Sequence, residues 1–198
     1  MDSFKEKLDD VIIKTFESLR NEKNAVSRLV FPNYTNGDKR VSEQELRFVF
    51  VENVKSLLEE YGYYYSVETP TKDKYKFSER GHNVKCESGK GRSANFDLTI
   101  KNKERNNIAI IEFKANSASE HEYAKDLCKL WNDKEQGEHR YFINIFKSMD
   151  QKTLDTLKEK LSPENNGFLS KKETDICVNV IAQPIDHSNE SFFFIDCV

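Results

Sequence analysis

Cysteine, proline and glycine are scarce in this 198-residue chain, with four, four and seven copies, and the scarcity narrows the reading. The glycines and prolines build no low-complexity tract, no internal repeat and no linker that would divide the chain. The cysteines, Cys86, Cys128, Cys177 and Cys197, are scattered and contain no Cys-x-x-Cys pair. His82, His121, His139 and His187 complete no zinc spacing with them, so a structural zinc site is not expected. Free thiols and a reducing cytoplasm are the expectation for such a set. Long apolar runs are missing as well. The N-terminal MDSFKEKLDD lacks the apolar stretch of a signal peptide, and no segment is long or apolar enough for a bilayer. A cytoplasmic protein with no membrane partner follows as the expectation.

What is present suits one sizeable domain, residues 1–198, with a core of its own. Hydrophobic residues make up 37% and charged residues 33%, so the surface is heavily charged. The net charge of −3 argues against general nucleic-acid binding, but the charge is unevenly spread. Between Thr71 and Arg105 stand ten basic residues and five acidic ones. As an isolated run this is a solvated loop; beside a metal site it reads as a footprint for a phosphate backbone.

Hydrophobic periodicity gives the element order. Phe4, Leu8, Val11, Ile12, Phe16 and Leu19 form one stripe of a helix over 3–23. A second helix should start at Ser42, where Ser42-Glu43-Gln44-Glu45 has the capping-box form, and end near Gly62. Tyr63–Glu68 reads as a strand, and 71–92 as a long, mobile hairpin or loop. Strands follow at 96–100 and 108–114, joined by the charged, Asn-rich turn Lys101–Asn107. A helix over 118–131, a strand over 141–146 and a helix over 151–161 come next. The last helix is broken at Ser162-Pro163 and Asn165-Asn166-Gly167, and strands at 177–182 and 192–196 close the chain. This is a mixed α/β arrangement around one sheet.

The two central strands carry the chemistry. Asp97 lies in Phe96–Ile100, and Glu112-Phe113-Lys114 ends the run Ile108–Lys114, giving Asp-x14-Glu-x-Lys. Side chains alternate along a strand, so Glu112 and Lys114 share a face about 7 Å apart. Asp97 can reach the same end of the sheet from the partner strand. Two carboxylates and an amine there would hold a hard cation and a water, and carboxylates select Mg²⁺ or Mn²⁺ over zinc. The Phe113 backbone carbonyl could add a ligand. A lysine beside such a cation should have a lowered pKa, which suits a base or a water clamp. The dull alternative is that Glu-x-Lys, on one strand face, is an exposed cross-strand ion pair.

A helix with an inward Glu, a strand with Asp, a strand with Glu-x-Lys, then a helix and a strand resemble the PD-(D/E)xK nuclease superfamily. The resemblance covers roughly residues 42–147, leaving the helix 3–23 and the strands 177–196 as additions. It implies a restriction-endonuclease-like α-β-β-β-α-β core. Asp97 and Glu112 match the family's metal-binding acidic pair, and Lys114 the lysine that orients or deprotonates water. Glu45 matches its auxiliary helix glutamate, although the capping box makes an equal claim on that residue. Phe96 stands where the family often has Pro. The following helix reads His121-Glu122-Tyr123-Ala124-Lys125 and lacks the Gln-x-x-x-Tyr signature of exonuclease-like branches. The resemblance implies a Mg²⁺- or Mn²⁺-dependent nuclease, with DNA rather than RNA as substrate. Lys90, Arg92, Ser93 and Asn95 are candidate nucleic-acid contacts. Double-strand cleavage by one such centre would call for a homodimer. The competing reading is a catalytically inactive nuclease-fold module that binds or regulates within a defence or repair assembly.

Overall fold

The computed structural model describes residues 3–21, 27–80, 83–162, 176–185 and 194–198. Helix α1, Phe4–Arg20, is opened by a reciprocal Ser3–Glu6 capping box and buries the expected stripe. It ends before residue 23, and residues 22–26 lie outside the described part. Helix α2, Glu43–Tyr61, closes at Gly62, whose φ of 65° is the left-handed geometry that glycine adopts freely. Strand β1 is Tyr64–Arg80, β2 Asn83–Ser88, β3 Arg92–Lys101 and β4 Asn107–Ala115. Helix α3, Glu120–Trp131, starts in a Ser119–Glu122 capping box. Strand β5, His139–Phe146, helix α4, Gln151–Leu161, and strands β6, Asn179–Pro184, and β7, Phe194–Cys197, complete the chain. The break proposed at 163–167 lies outside the described residues.

The seven strands among the described residues join one sheet in the order β2-β1-β3-β4-β5-β6-β7. The β2-β1-β3-β4 half is antiparallel, β4-β5-β6 is parallel, and β7 returns antiparallel to β6. One apolar cluster joins α1 and α2 to Leu98, Ile100, Ile111, Phe113 and Ile143. The other joins α3 and α4 to Phe96, Ile110, Phe142 and Val180. The sheet is thus a middle layer with a helix pair on each side. Strand β4 lies at its centre and is buried on both faces from Ala109 to Lys114. That burial is why Ile108–Ile111 is a continuous apolar run rather than an alternating one.

The structure narrows one sequence expectation and corrects another. Of the two readings for residues 71–92, the hairpin is the one that forms: β1 and β2 pair antiparallel, with Tyr75 opposite both Arg92 and Ser88. Period-two alternation was hidden in a polar run: Thr71 and Tyr75 are buried while Lys72, Lys74 and Lys76 are exposed. Gly91 fixes the turn into β3, since a Cβ there would stand 2.2 Å from the Tyr75 carbonyl oxygen. Cys128, Cys177 and Cys197 are not the free thiols expected. Cys177 is bonded to Cys197 across 20 residues, and Cys128 is also disulfide-bonded. Folding brings together cysteines that sequence scatters, and the argument for a reducing compartment goes with them. Among the described residues, no helix is long and apolar enough to cross a membrane.

Candidate active site

Strands β3 and β4 pair only as far as Leu98↔Ile111, and the next step is made by a side chain. The Phe113 N–H donates to Asp97 Oδ2 at 2.8 Å, so the carboxylate serves a donor that the ladder leaves unpaired. The strands therefore fork at Asp97. Beyond the fork, Ile111 and Phe113 enter the α1/α2 cluster. Glu112 and Lys114 alternate with them and face α3, as their ion partners show.

Those partners are not each other. Lys129 Nζ lies 2.5 Å from Glu112 Oε1, and Lys114 Nζ lies 2.7 Å from Asp126 Oδ2. Asp126 Oδ1 also holds Lys129 at 2.9 Å, an i,i+3 contact along α3. Lys129 also donates to the Asn95 carbonyl at 2.8 Å, so three oxygens surround its ammonium. Lys114 is also 3.5 Å from Glu43 Oε1 and 3.3 Å from the Phe113 carbonyl oxygen. An exposed Glu-x-Lys ion pair is not what forms: Glu112 is 1% exposed and Lys114 9%.

The structure brings Asp97, Glu112 and Lys114 to this fork but takes Glu45 elsewhere. Glu45 pairs with Arg40 at 3.1 Å, and the capping box does not form, because Ser42 makes no side-chain cap. Glu43 is the α2 acid that reaches the site. Successive residues turn by about 100° around a helix, so positions 43 and 45 point to nearly opposite sides. Sequence reasoning also missed Arg47, Asp126 and Lys129. The last two were visible in principle: with Tyr123, Leu127 and Leu130 they fall on the buried side of α3, where unpaired charge is not tolerated.

Above the fork opens a polar cavity of ≈ 140 Å³, lined by Glu43, Gln44, Arg47, Glu68, Asp97 and Phe113. Arg47 donates to Glu68 at 2.8 Å and lies 3.9 Å from Asp97 Oδ1. Glu68 reaches the cavity from a kink in β1, where its φ is 48° and the register shifts between Pro70 and Lys74. Of the proposed nucleic-acid contacts, Lys90 and Arg92 are exposed at the arm made by β1, β2 and β3. Lys90 approaches Glu87 at 3.3 Å. The Ser93 hydroxyl bonds to Thr71, and Asn95 offers its carbonyl to Lys129, so both also serve the fold.

The charges press on one another. Burial raises the Glu43 carboxyl above the ordinary carboxylate range, and the negative charges of Asp97 and Asp126 add to the rise. Glu112 is pushed up by burial and by Asp126, against the pull of Lys129. Burial draws Lys114 down, but Asp126, Glu43 and Asp97 outweigh it and raise the ammonium above the usual lysine range. Carboxylates at contact distance outweigh desolvation here.

Hard divalent cations take oxygen donors of the kind found here. Glu43 and Asp97 offer carboxylate oxygens beside Phe113, and their mutual repulsion is what a cation relieves. Among the described residues, no three His, Cys, Asp or Glu side chains form a ready cage. Mg²⁺ does not need one, since it keeps waters and uses one or two carboxylates. No family model matches the chain, and no curated protein or solved structure shows a significant match to it.

Proposed function

We propose that this protein is a Mg²⁺- or Mn²⁺-dependent nuclease that hydrolyses phosphodiester bonds, in DNA rather than RNA. The observation that carries the reading is the convergence of Asp97, Glu112, Lys114 and Glu43 on one strand fork. The order α2-β1-β3-β4-α3-β5, with β2 as an excursion from β1, supports the restriction-endonuclease-like core that the resemblance implies. Exposed Lys72, Lys74, Lys76, Lys90 and Arg92 on the neighbouring arm support an anionic polymer as ligand.

Asp97 and Glu112 would hold the cation, with the Phe113 carbonyl and Glu43 as further oxygen donors. When bound, such a cation stabilises charge on phosphoryl oxygens and lowers the pKa of a water. Lys114, kept protonated by Asp126, donates to a water or a phosphate oxygen rather than taking a proton. Arg47 on the cavity wall places a second fixed cation where a phosphate would approach. One centre per chain makes one nick, and cutting both strands would need a symmetric pair of chains.

One observation favours a second reading. Glu112 is 1% exposed and already holds an ammonium, which would also suit an inactive nuclease-fold module. Relaxation of supercoiled plasmid by purified protein with Mg²⁺ or Mn²⁺ decides between them. The nuclease reading expects nicking that is abolished by Glu112→Ala and by Lys114→Ala. Intact nicking in both variants would sink the mechanism, and a folded protein that shows no cleavage and no Mn²⁺ binding lost on Asp97→Ala would favour the module.

A further inference from the structure

Glu112 and Lys114 stand two residues apart on one face of β4, a spacing at which opposite charges reach one another. Paired, they would neutralise each other, and neither would be presented to a ligand. In this chain a second acid–base couple lies on α3. Asp126 and Lys129 meet the strand couple with opposite polarity, acid against lysine and lysine against acid. The two oxygens of Asp126 go to the two different lysines, so one carboxylate sets the positions of both. Lys129 is ion-paired with a single oxygen of Glu112 and with Asp126, and it donates to the Asn95 carbonyl of β3. It therefore ties Glu112 to the strand that carries Asp97.

We propose that Lys129, anchored by Asp126, is a positioning residue of the centre: it holds Glu112 away from Lys114 and toward Asp97. The proposal rests on the nuclease reading and adds residues which that reading does not use. It also has a sign that simple electrostatics does not share. Lys129 is a cation beside a cation site, so by Coulomb's law alone its removal would tighten Mn²⁺ binding. If Lys129 positions Glu112, its removal lets Lys114 collapse onto Glu112 and weakens Mn²⁺ binding. Partners that orient a metal ligand are typically worth about 10–100-fold in affinity.

The test is Mn²⁺ binding by calorimetry and by the electron paramagnetic resonance of bound Mn²⁺. It compares wild type with Lys129→Met, Lys129→Gln and Lys129→Arg. Lys129→Gln, polar but uncharged and too short to span to Glu112, serves if the methionine variant does not fold, with circular dichroism as the check. The expected result is about tenfold or greater weakening in the neutral variants. Lys129→Arg, which still donates to Glu112, should restore most of the affinity. In plasmid nicking, the neutral variants should lose kcat with KM for DNA unchanged. Folded neutral variants that bind Mn²⁺ as tightly as wild type, or more tightly, would overturn the proposal alone. A wild type that binds no Mn²⁺ would remove the nuclease reading, and the proposal with it.

Discussion

Asp97 accepts the backbone N–H of Phe113 at 2.8 Å, so the side chain of one strand completes the hydrogen bonding of its neighbour. This single contact gives Asp97 two roles. It closes the end of the β3–β4 ladder, and it fixes a carboxylate at the mouth of a cavity that Phe113 also lines.

The two roles separate by substitution. Asp97→Ala leaves the Phe113 donor unpaired and should cost about 1–3 kcal/mol in chemical denaturation. Asp97→Asn keeps an acceptor oxygen in place and should recover most of that stability. Both variants should lose Mn²⁺ binding, because the charge is gone in each. An Asp97→Asn protein that binds Mn²⁺ as wild type does would limit the residue to its structural role.

Glu43 and Glu45 stand two positions apart on α2, and only Glu43 reaches Lys114. Glu43→Gln should therefore lower plasmid nicking by about tenfold or more. Glu45→Gln touches a partly exposed pair with Arg40 and should leave nicking within about twofold. The reverse order of effects would return the helix acid to the position that the sequence suggested.

Alkaline pH should destabilise the fold through its buried tyrosines. Burial raises the Tyr75 hydroxyl above its ordinary 10.0, and the carboxylate of Glu135, which accepts its hydrogen bond at 2.8 Å, adds to the rise. Burial and the Asp9 carboxylate raise Tyr141 in the same way. An acid whose folded pKa is raised is favoured in its neutral form. Its contribution is complete below the unfolded value and is lost as pH climbs past about 10. Thermal melts should show stability falling above that pH, and phenolate absorbance from these tyrosines should appear only with unfolding. Early phenolate absorbance in the folded protein would contradict this account of Tyr75 and Tyr141.

Periodicity made much of the fold legible before any coordinates. The stripe from Phe4 to Leu19 gave α1, the run Ile108–Ile111 marked a central strand, and Tyr141–Phe146 gave β5. The alternation of Thr71 and Tyr75 with lysines does not separate a hairpin from a loop, because polar composition masks a period of two when only one face is buried. The candidate site was legible where its residues lie close in sequence, as in Glu112-Phe113-Lys114. It was not legible where helix rotation or long-range packing decides. Nothing local tells Glu43 from Glu45 when both fit a helix start, and Lys129 finds Glu112 only after α3 packs on the sheet. The Cys177–Cys197 bond has the same origin, since it depends on β7 returning beside β6.

The central claim is that Asp97 and Glu112 share one divalent cation, and a crystal structure of the protein with Mn²⁺ tests it most directly. The account predicts an anomalous peak between the two carboxylates, about 2.2 Å from an oxygen of each, with Lys129 still on Glu112. A saturating soak that leaves no peak there, or one bound by only one of the two residues, would contradict it.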